Sequence, residues 1–342
     1  MTQQIINVGS AISDGTGDPA RTAFTKSNDN FTELYARGTV VAPQGRLTLV
    51  SATPVMTTTQ TAKTTIYYTP YVGNQVPIYD GTNMTMTTFA ELSVATTDTT
   101  KNPAAIGASK VNDWFVWNDA GTLRLSHGPD WTSDSARSAG TAFVMVNGIY
   151  LNAVAITNAC AASRGTYVGT TRSGGGSTLA FVFPGAAVGG TAGFFGVWNA
   201  YNRVLSGGVC TEQTASWTTG STTPRSKANS GSNSISFVSG LLEDVATFIN
   251  THGLTTTATD STVIIAGIGI DSNTFTSTAA QGSSTASNNN CISPVSHVAM
   301  SLGYHTWYAV ESTNGPTNVT SYGGLGGPPA RSLSTITFSF PM

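Results

Sequence analysis

Short apolar or alternating runs, closed off by Asn-Gly, Asp-Gly and Ala-Gly turns, constrain this chain more than any other feature. Asn147-Gly148 stands between Phe143–Val146 and Ile149–Val154. Asp80-Gly81 separates Val76–Tyr79 from Met84–Phe89, and Asn118-Asp119-Ala120-Gly121 separates Trp114–Trp117 from Leu123–Ser126. Asn and Gly accept the positive φ that tight primed turns need, so Asn-Gly between two apolar runs is a strong hairpin signal. With Ile66–Thr69, these runs predict a small β-barrel or sandwich over residues 46–193.

Composition agrees. Only 9% of residues are charged while 39% are hydrophobic, against roughly 25% charged in ordinary globular domains. The polar surface must come from Thr, which suits strands, and from Gly, Asn and Ser, which suit turns. Six Trp, eleven Tyr and fourteen Phe argue against a disordered Thr/Ser linker, because disordered chains are poor in aromatics. A length of 342 residues allows two or three domains. The net charge of −2 comes with no basic stripe, so no nucleic-acid partner is expected. Apolar runs such as Val263–Ile270 have strand length and are too short to span a bilayer, so no membrane insertion is expected. The N-terminus lacks a positive region followed by an apolar one, so no secretory signal is expected.

Beyond Gly207-Gly208 the β pattern resumes. Candidate strands are Ser234–Leu242, Val245–Ile249, Thr262–Ile270, His297–Met300, Tyr304–Val310, Val319–Tyr322 and Leu333–Phe340, with weaker runs near Val209–Trp217 and Arg225–Ala228. Such a series fits a C-terminal jelly-roll-like β-sandwich. The Ser/Thr/Asn-rich stretch 272–290 reads as a long surface loop. Gly174-Gly175-Gly176-Ser177 reads as a hairpin tip, since no GxxxxGK[ST] sequence accompanies it. Phe194, Trp198, Tyr201 and Leu205 fall near helical spacing, which predicts a short connector helix over Phe194–Val204.

The N-terminal forty residues differ. Asp14-Gly15-Thr16-Gly17 supplies a turn. Asp18 suits an N-cap and Pro19 the first helical position, and Gly38 suits a C-cap. These bounds predict one helix over 19–37, about 28 Å long. Ala20, Phe24, Ser27, Phe31 and Leu34 form a short heptad seam, suited to packing on copies of itself or on a partner. The chain is therefore read as mainly β, with a helical N-terminal segment (1–45), a β-rich middle domain ending in the connector (46–205) and a C-terminal sandwich (206–342).

The same forty residues carry a longer pattern: Ile6-Asn7-x-Gly9, Asp14-Gly15-Thr16-Gly17-Asp18-Pro19, Arg21, Ala23-Phe24, Lys26, Asn28, Asn30-Phe31 and Glu33-Leu34-Tyr35. This resembles a segment near the N-terminus of bacteriophage tail fibres and other virion proteins, with Ser27 where an aliphatic residue is usual. Gly45–Leu49, Ile66–Tyr71, Gly73–Tyr79 and Val197–Val204 likewise resemble phage-encoded structural proteins. The resemblance implies a virion component assembled in the host cytoplasm. It implies a homotrimeric tail fibre whose N-terminus docks onto other tail, neck or capsid proteins, with Ala20, Phe24, Phe31, Leu34 and Tyr35 as docking or oligomer contacts. A host surface glycan is the implied ligand. The alternatives are a head or neck fibre or capsid decoration protein without receptor binding, and a polysaccharide-degrading tailspike enzyme. No catalytic residue carries over.

No catalytic constellation stands out in the residues themselves, and no cofactor is expected. There is no G-x-S-x-G elbow and no H-E-x-x-H. Cys160, Cys210 and Cys291 are widely spaced, which fits buried reduced thiols better than a zinc site. His297 and His305 lack a ligand-spaced carboxylate or Cys, so no metal is expected. Glycosidases use paired acids. Glu243-Asp244 is the only adjacent pair and reads as a turn, because neighbours on a strand point to opposite faces. Asp130 and Asp134 flank Trp131. Trp307, Tyr308 and Trp131 are the candidate stacking platforms for a glycan.

Overall fold

A computed structural model describes residues 4–11, 14–36, 40–255, 263–282, 289–315, 318–324 and 334–342. The chain is mainly β, with one α-helix, Ala20–Ala36, among the described residues. The turn chemistry acts as expected. Asn147 and Gly148 have φ of 50° and 80° and join Phe143–Val146 to Ile149–Asn152 in register Val146↔Ile149. Ala120 and Gly121, at φ 49° and 98°, turn Val111–Asp119 into Thr122–His127. Asp80 Oδ1 accepts the N–H groups of Thr82 and Asn83 and so closes the turn between Gln75–Tyr79 and Met84–Thr88.

The middle region centres on one sheet ordered 122–127, 111–119, 166–172, 149–152, 143–146, with 197–199 also paired to 166–172. Every residue of Thr166–Arg172 is buried. This strand carries no apolar alternation, which is why its sequence does not announce it. Gly169 is required there, because a Cβ would lie 2.3 Å from the Trp198 carbonyl oxygen.

The C-terminal region is a sandwich. One sheet contains 234–239, 303–313, 264–270 and 279–282; the other contains 205–212, 334–341, 245–255, 319–322 and 216–219. Even-numbered residues of Ser334–Pro341 are buried and odd ones partly exposed, so Ile336, Phe338 and Phe340 enter the core. Phe338 stacks on Phe237 of the facing sheet at 5.3 Å between centroids, and Phe248 meets Trp307 at 5.6 Å. Burying such a ring contributes about 1.5–3 kcal/mol.

Three expectations change. The connector helix does not form: Gly193–Phe195, Val197–Asn199 and Leu205–Glu212 are strands. Phe194 to Leu205 fall at helical spacing, but the backbone of Val197–Asn199 pairs with Gly169–Thr171 and that of Gly193–Phe195 with Ile235–Phe237, so distant strands supply the hydrogen bonds a helix would have made internally. Residues 272–290 are not one continuous loop, because Ala279–Gly282 pairs with Ile264–Gly267 and Asn289–Ile292 pairs with His252–Thr255. The sheets also cross residue 205. Gln60–Lys63, Leu179–Val182 and Gly193–Phe195 extend the C-terminal sheet, the last pairing in parallel with 234–239. One hydrophobic cluster accordingly runs from Leu47 to Met342.

Candidate functional site

The N-terminal helix rests on the chain's own first residues. Asn30 Nδ2 donates to the Gln4 carbonyl at 2.8 Å and its Oδ1 accepts the Gln4 N–H at 3.0 Å. Lys26 Nζ donates to the Ile5 carbonyl at 3.1 Å and to Asp18 at 2.7 Å. Asp18 does not cap the helix as expected. Its carboxylate accepts from Lys26 and from the Asn7 N–H, and the Pro19 carbonyl receives the first helical N–H, from Ala23. The Lys26 hydrogen bond, with that of Asn7, holds the Asp18 carboxyl below its ordinary range. Asp14 ties the preceding turn by accepting N–H groups of Thr16, Ser10 and Ala11, which pulls its pKa well down.

With its polar side so occupied, the helix turns Phe24 and Phe31 outward. They are 71% and 55% exposed. Seven residues apart, they differ by only about 20° around the axis, and exposed Ala20 lies on the same strip. The seam read from the sequence is thus partly realised: Ser27 sits at its margin, half-buried. The side chains of Leu34 and Tyr35 lie outside the described residues.

The sequence-predicted glycan platforms are placed differently. Trp307 is 2% exposed and packs among Phe237, Phe248 and Phe338. Tyr308 is half-buried in the same strand. Trp131 is 3% exposed; its indole N–H donates to Asp113 at 3.0 Å, and the Arg137 guanidinium lies 4.4 Å from its ring. Arg137 also pairs with buried Asp113 and donates to the Gly240 carbonyl. Trp307 and Trp131 therefore present no stacking face to solvent.

Aromatic and polar groups meet elsewhere. A depression of about 430 Å³ is lined by Tyr79, Asp80, Trp117, Asn118, Asp119 and Arg164. Two hairpin tips and the loop ending at Arg164 build it, and the guanidinium sits 5.8 Å from the Tyr79 ring centroid. The signal was in the sequence: both turns are flanked by an aromatic residue.

The buried titratable groups form structural networks. His252 Nε2 lies 2.8 Å from Ser321 Oγ and 3.7 Å from Glu311. That superficially suggests a Ser-His-acid unit. In such a unit the acid orients the other ring nitrogen and the hydroxyl reaches a substrate. Here His252 Nδ1 has no hydrogen-bond partner, and all three residues are fully buried. Burial, with the nearby Lys227 charge, keeps the His252 pKa well below its ordinary value. Glu311 instead anchors Trp217, Thr219 and Arg225. Glu243 and Asp244 do sit in a turn, as expected, yet they converge, both on Arg203 at 2.9 Å. His305 bonds Asp271, and His297 bonds Thr247. Among the described residues, no cluster of three or more His, Cys, Asp or Glu is placed to hold a metal. Cys160 and Cys210 are buried, whereas Cys291 is exposed.

Fold and surface together define a mainly β protein with a β-sandwich body and an apolar strip displayed on an N-terminal helix. No protein family and no curated protein matches the chain.

Proposed function

We propose that this chain is a structural protein of a bacteriophage particle, a fibre subunit that docks through its N-terminal helix and assembles as a homotrimer. The observation that carries the reading is the exposed Phe24–Phe31 strip on a helix whose other side is already bonded to residues 4–18. Two exposed rings at heptad spacing gain about 1.5–3 kcal/mol each on burial against a partner, and an isolated short helix gains order by the same contact. The sequence pattern around Asp14–Tyr35, which resembles virion fibre proteins, supports the same assignment. A neutral host glycan is the ligand in this reading. Its site is the Tyr79–Arg164 depression rather than Trp307, Tyr308 or Trp131, since the depression offers an aromatic ring beside hydrogen-bonding groups.

The test is incorporation. Phage carrying Phe24→Asp/Phe31→Asp protein should assemble particles depleted of it, measured by quantitative immunoblotting of purified virions. Normal incorporation overturns the docking role. Imaging of labelled protein at the head or neck, without a defect in host adsorption, transfers the chain to the decoration-fibre alternative.

A further inference from the structure

We infer that the Tyr79–Arg164 depression is one half of a longer groove, which takes a neutral oligosaccharide laid across the end of the hairpin formed by 111–119 and 122–127. The inference deepens the glycan part of the fibre reading and rests on it.

A second depression of about 430 Å³ has Glu91, Ser93, Asp98, Lys101, Leu123 and Arg124 among its walls. The two depressions flank one hairpin. Residues 117–120, where Val111–Asp119 turns, line the first, and residues 123–125 of Thr122–His127 line the second. Neighbouring strands stand about 4.8 Å apart, so a chain of sugar rings reaches both sides where a single ring fills one.

The wall between them is one cluster of side chains. The Asp119 carboxylate, in the first depression, accepts from Lys101 at 2.7 Å and from Arg124 Nε at 3.4 Å, both in the second. The Lys101 ammonium also lies 5.8 Å from the centroid of the Trp117 ring, which lines the first. The side chains of Lys101 and Arg124 are 39% and 46% exposed, so this ridge is itself open to a ligand passing over it.

Hydrogen-bonding capacity differs on the two sides. In the second depression the acids are already occupied. Glu91 accepts from Ser51, Ala52 and Thr69, and Asp98 accepts from Thr100, Asn102 and the Lys101 N–H. What remains there are donors, because an ammonium carries three N–H groups and a guanidinium five. The first depression sets the carboxylates of Asp80 and Asp119 beside the Arg164 guanidinium. Sugar hydroxyls both donate and accept, so successive residues of one glycan satisfy both sides.

Charge selects the class of glycan. Charged residues are scarce in this chain, yet they gather around these depressions. The second sets Glu91 and Asp98 against Lys101 and Arg124, and the first sets Asp80 and Asp119 against Arg164. With no excess of positive charge, the groove offers an acidic polysaccharide no net attraction, whereas a neutral one meets its dipoles and rings without penalty.

The experiment uses the full chain. Wild type, Arg124→Ala, Ser93→Trp and Tyr79→Ala are titrated calorimetrically with host surface polysaccharide, depolymerised by mild acid and sorted by length, with thermal unfolding as the folding control. Hexasaccharides and longer fragments should bind the wild type at least about tenfold more tightly than disaccharides. Arg124→Ala removes a donor of the second depression, and Ser93→Trp fills it from the exposed edge of Leu92–Ala95. Both should bring long fragments down to the disaccharide's affinity and leave disaccharide binding unchanged, whereas Tyr79→Ala should weaken both. The two substitutions lie on separate strands, so either one decides should the other fail to fold. Binding independent of length, or long-fragment binding unchanged in the folded Arg124→Ala and Ser93→Trp proteins, overturns the groove, while a loss in Tyr79→Ala still upholds the single depression. Failure of every fragment to bind the wild type overturns the glycan reading and the groove with it.

Discussion

The Lys26 ammonium lies 2.7 Å from the Asp18 carboxylate, tying the second turn of the helix to the residue before Pro19. The same carboxylate accepts the Asn7 N–H at 2.9 Å. Lys26→Met should therefore release residues 4–9 from the helix. Amide exchange at Asn7 and Asp18 should accelerate while the thermal midpoint of the β body stays fixed. The Asp18 pKa is lowered in the folded state, so its contribution is present above the ordinary value of 3.8 and lost as pH falls through the folded one. Protection at Asn7 should fade on acidification below that range; protection that persists in Lys26→Met would show the tether to be immaterial.

Trp131 belongs to the core. Trp131→Ala should cost about 3–5 kcal/mol of stability, read from the shift in denaturant midpoint. Trp131→Phe keeps most of the apolar area and removes one hydrogen bond to Asp113, whose oxygens still accept from Arg137 and Thr170, and should cost about 0.5–1.5 kcal/mol. Unchanged stability with loss of sugar binding would restore Trp131 as a surface platform.

Residues 206–342 should not fold when expressed alone. The sheet containing Phe237 and Trp307 continues through Gly193–Phe195 and Leu179–Val182, and Phe195 touches both Phe338 and Phe340 at 5.8 and 6.3 Å. Binding of a hydrophobic dye and loss of near-ultraviolet dichroism are expected. A sharp cooperative transition from this fragment would make residue 205 a true domain boundary.

Buried bases set the pH profile. Burial lowers the pKa of His252 and His127, so below 6.5 the unfolded chain takes up protons that the folded chain refuses. Stability should fall as pH drops below 6.5, by up to about 1.4 kcal/mol per pH unit for each His. Burial likewise pushes Lys227 down to about 8 from 10.5. Between those values the unfolded state binds the extra proton, so stability contributed by this group rises with pH. Lys227→Met should flatten the rise, and His252→Gln should reduce the acid slope, both measured by urea unfolding across pH.

Neutral sugars are held by hydrogen bonds and ring faces. Tyr79→Ala or Arg164→Ala should reduce host-cell adsorption by about tenfold or more, with little effect on assembly. Equal adsorption by both variants would remove the depression from the reading.

Features set by local chemistry are legible in the sequence. Asn147-Gly148, Ala120-Gly121 and Asp80-Gly81 dictate their hairpins because the required φ values and side-chain acceptors lie within the turn itself. The alternation of residues 334–341 assigns Ile336, Phe338 and Phe340 to the core because a strand's period is two. The outward helix strip was legible for Phe24 and Phe31 from their spacing. Tertiary structure decided the rest. Thr166–Arg172 became a central strand, and Phe194–Val204 gave up its helical spacing, because their hydrogen-bond partners lie far away in sequence. Trp131 and Trp307 went inside because Asp113 and the facing Phe residues were there to receive them. An aromatic residue's type states how much area it offers for burial; only the packing of distant strands fixes whether that area meets the core, the solvent or another copy of the chain.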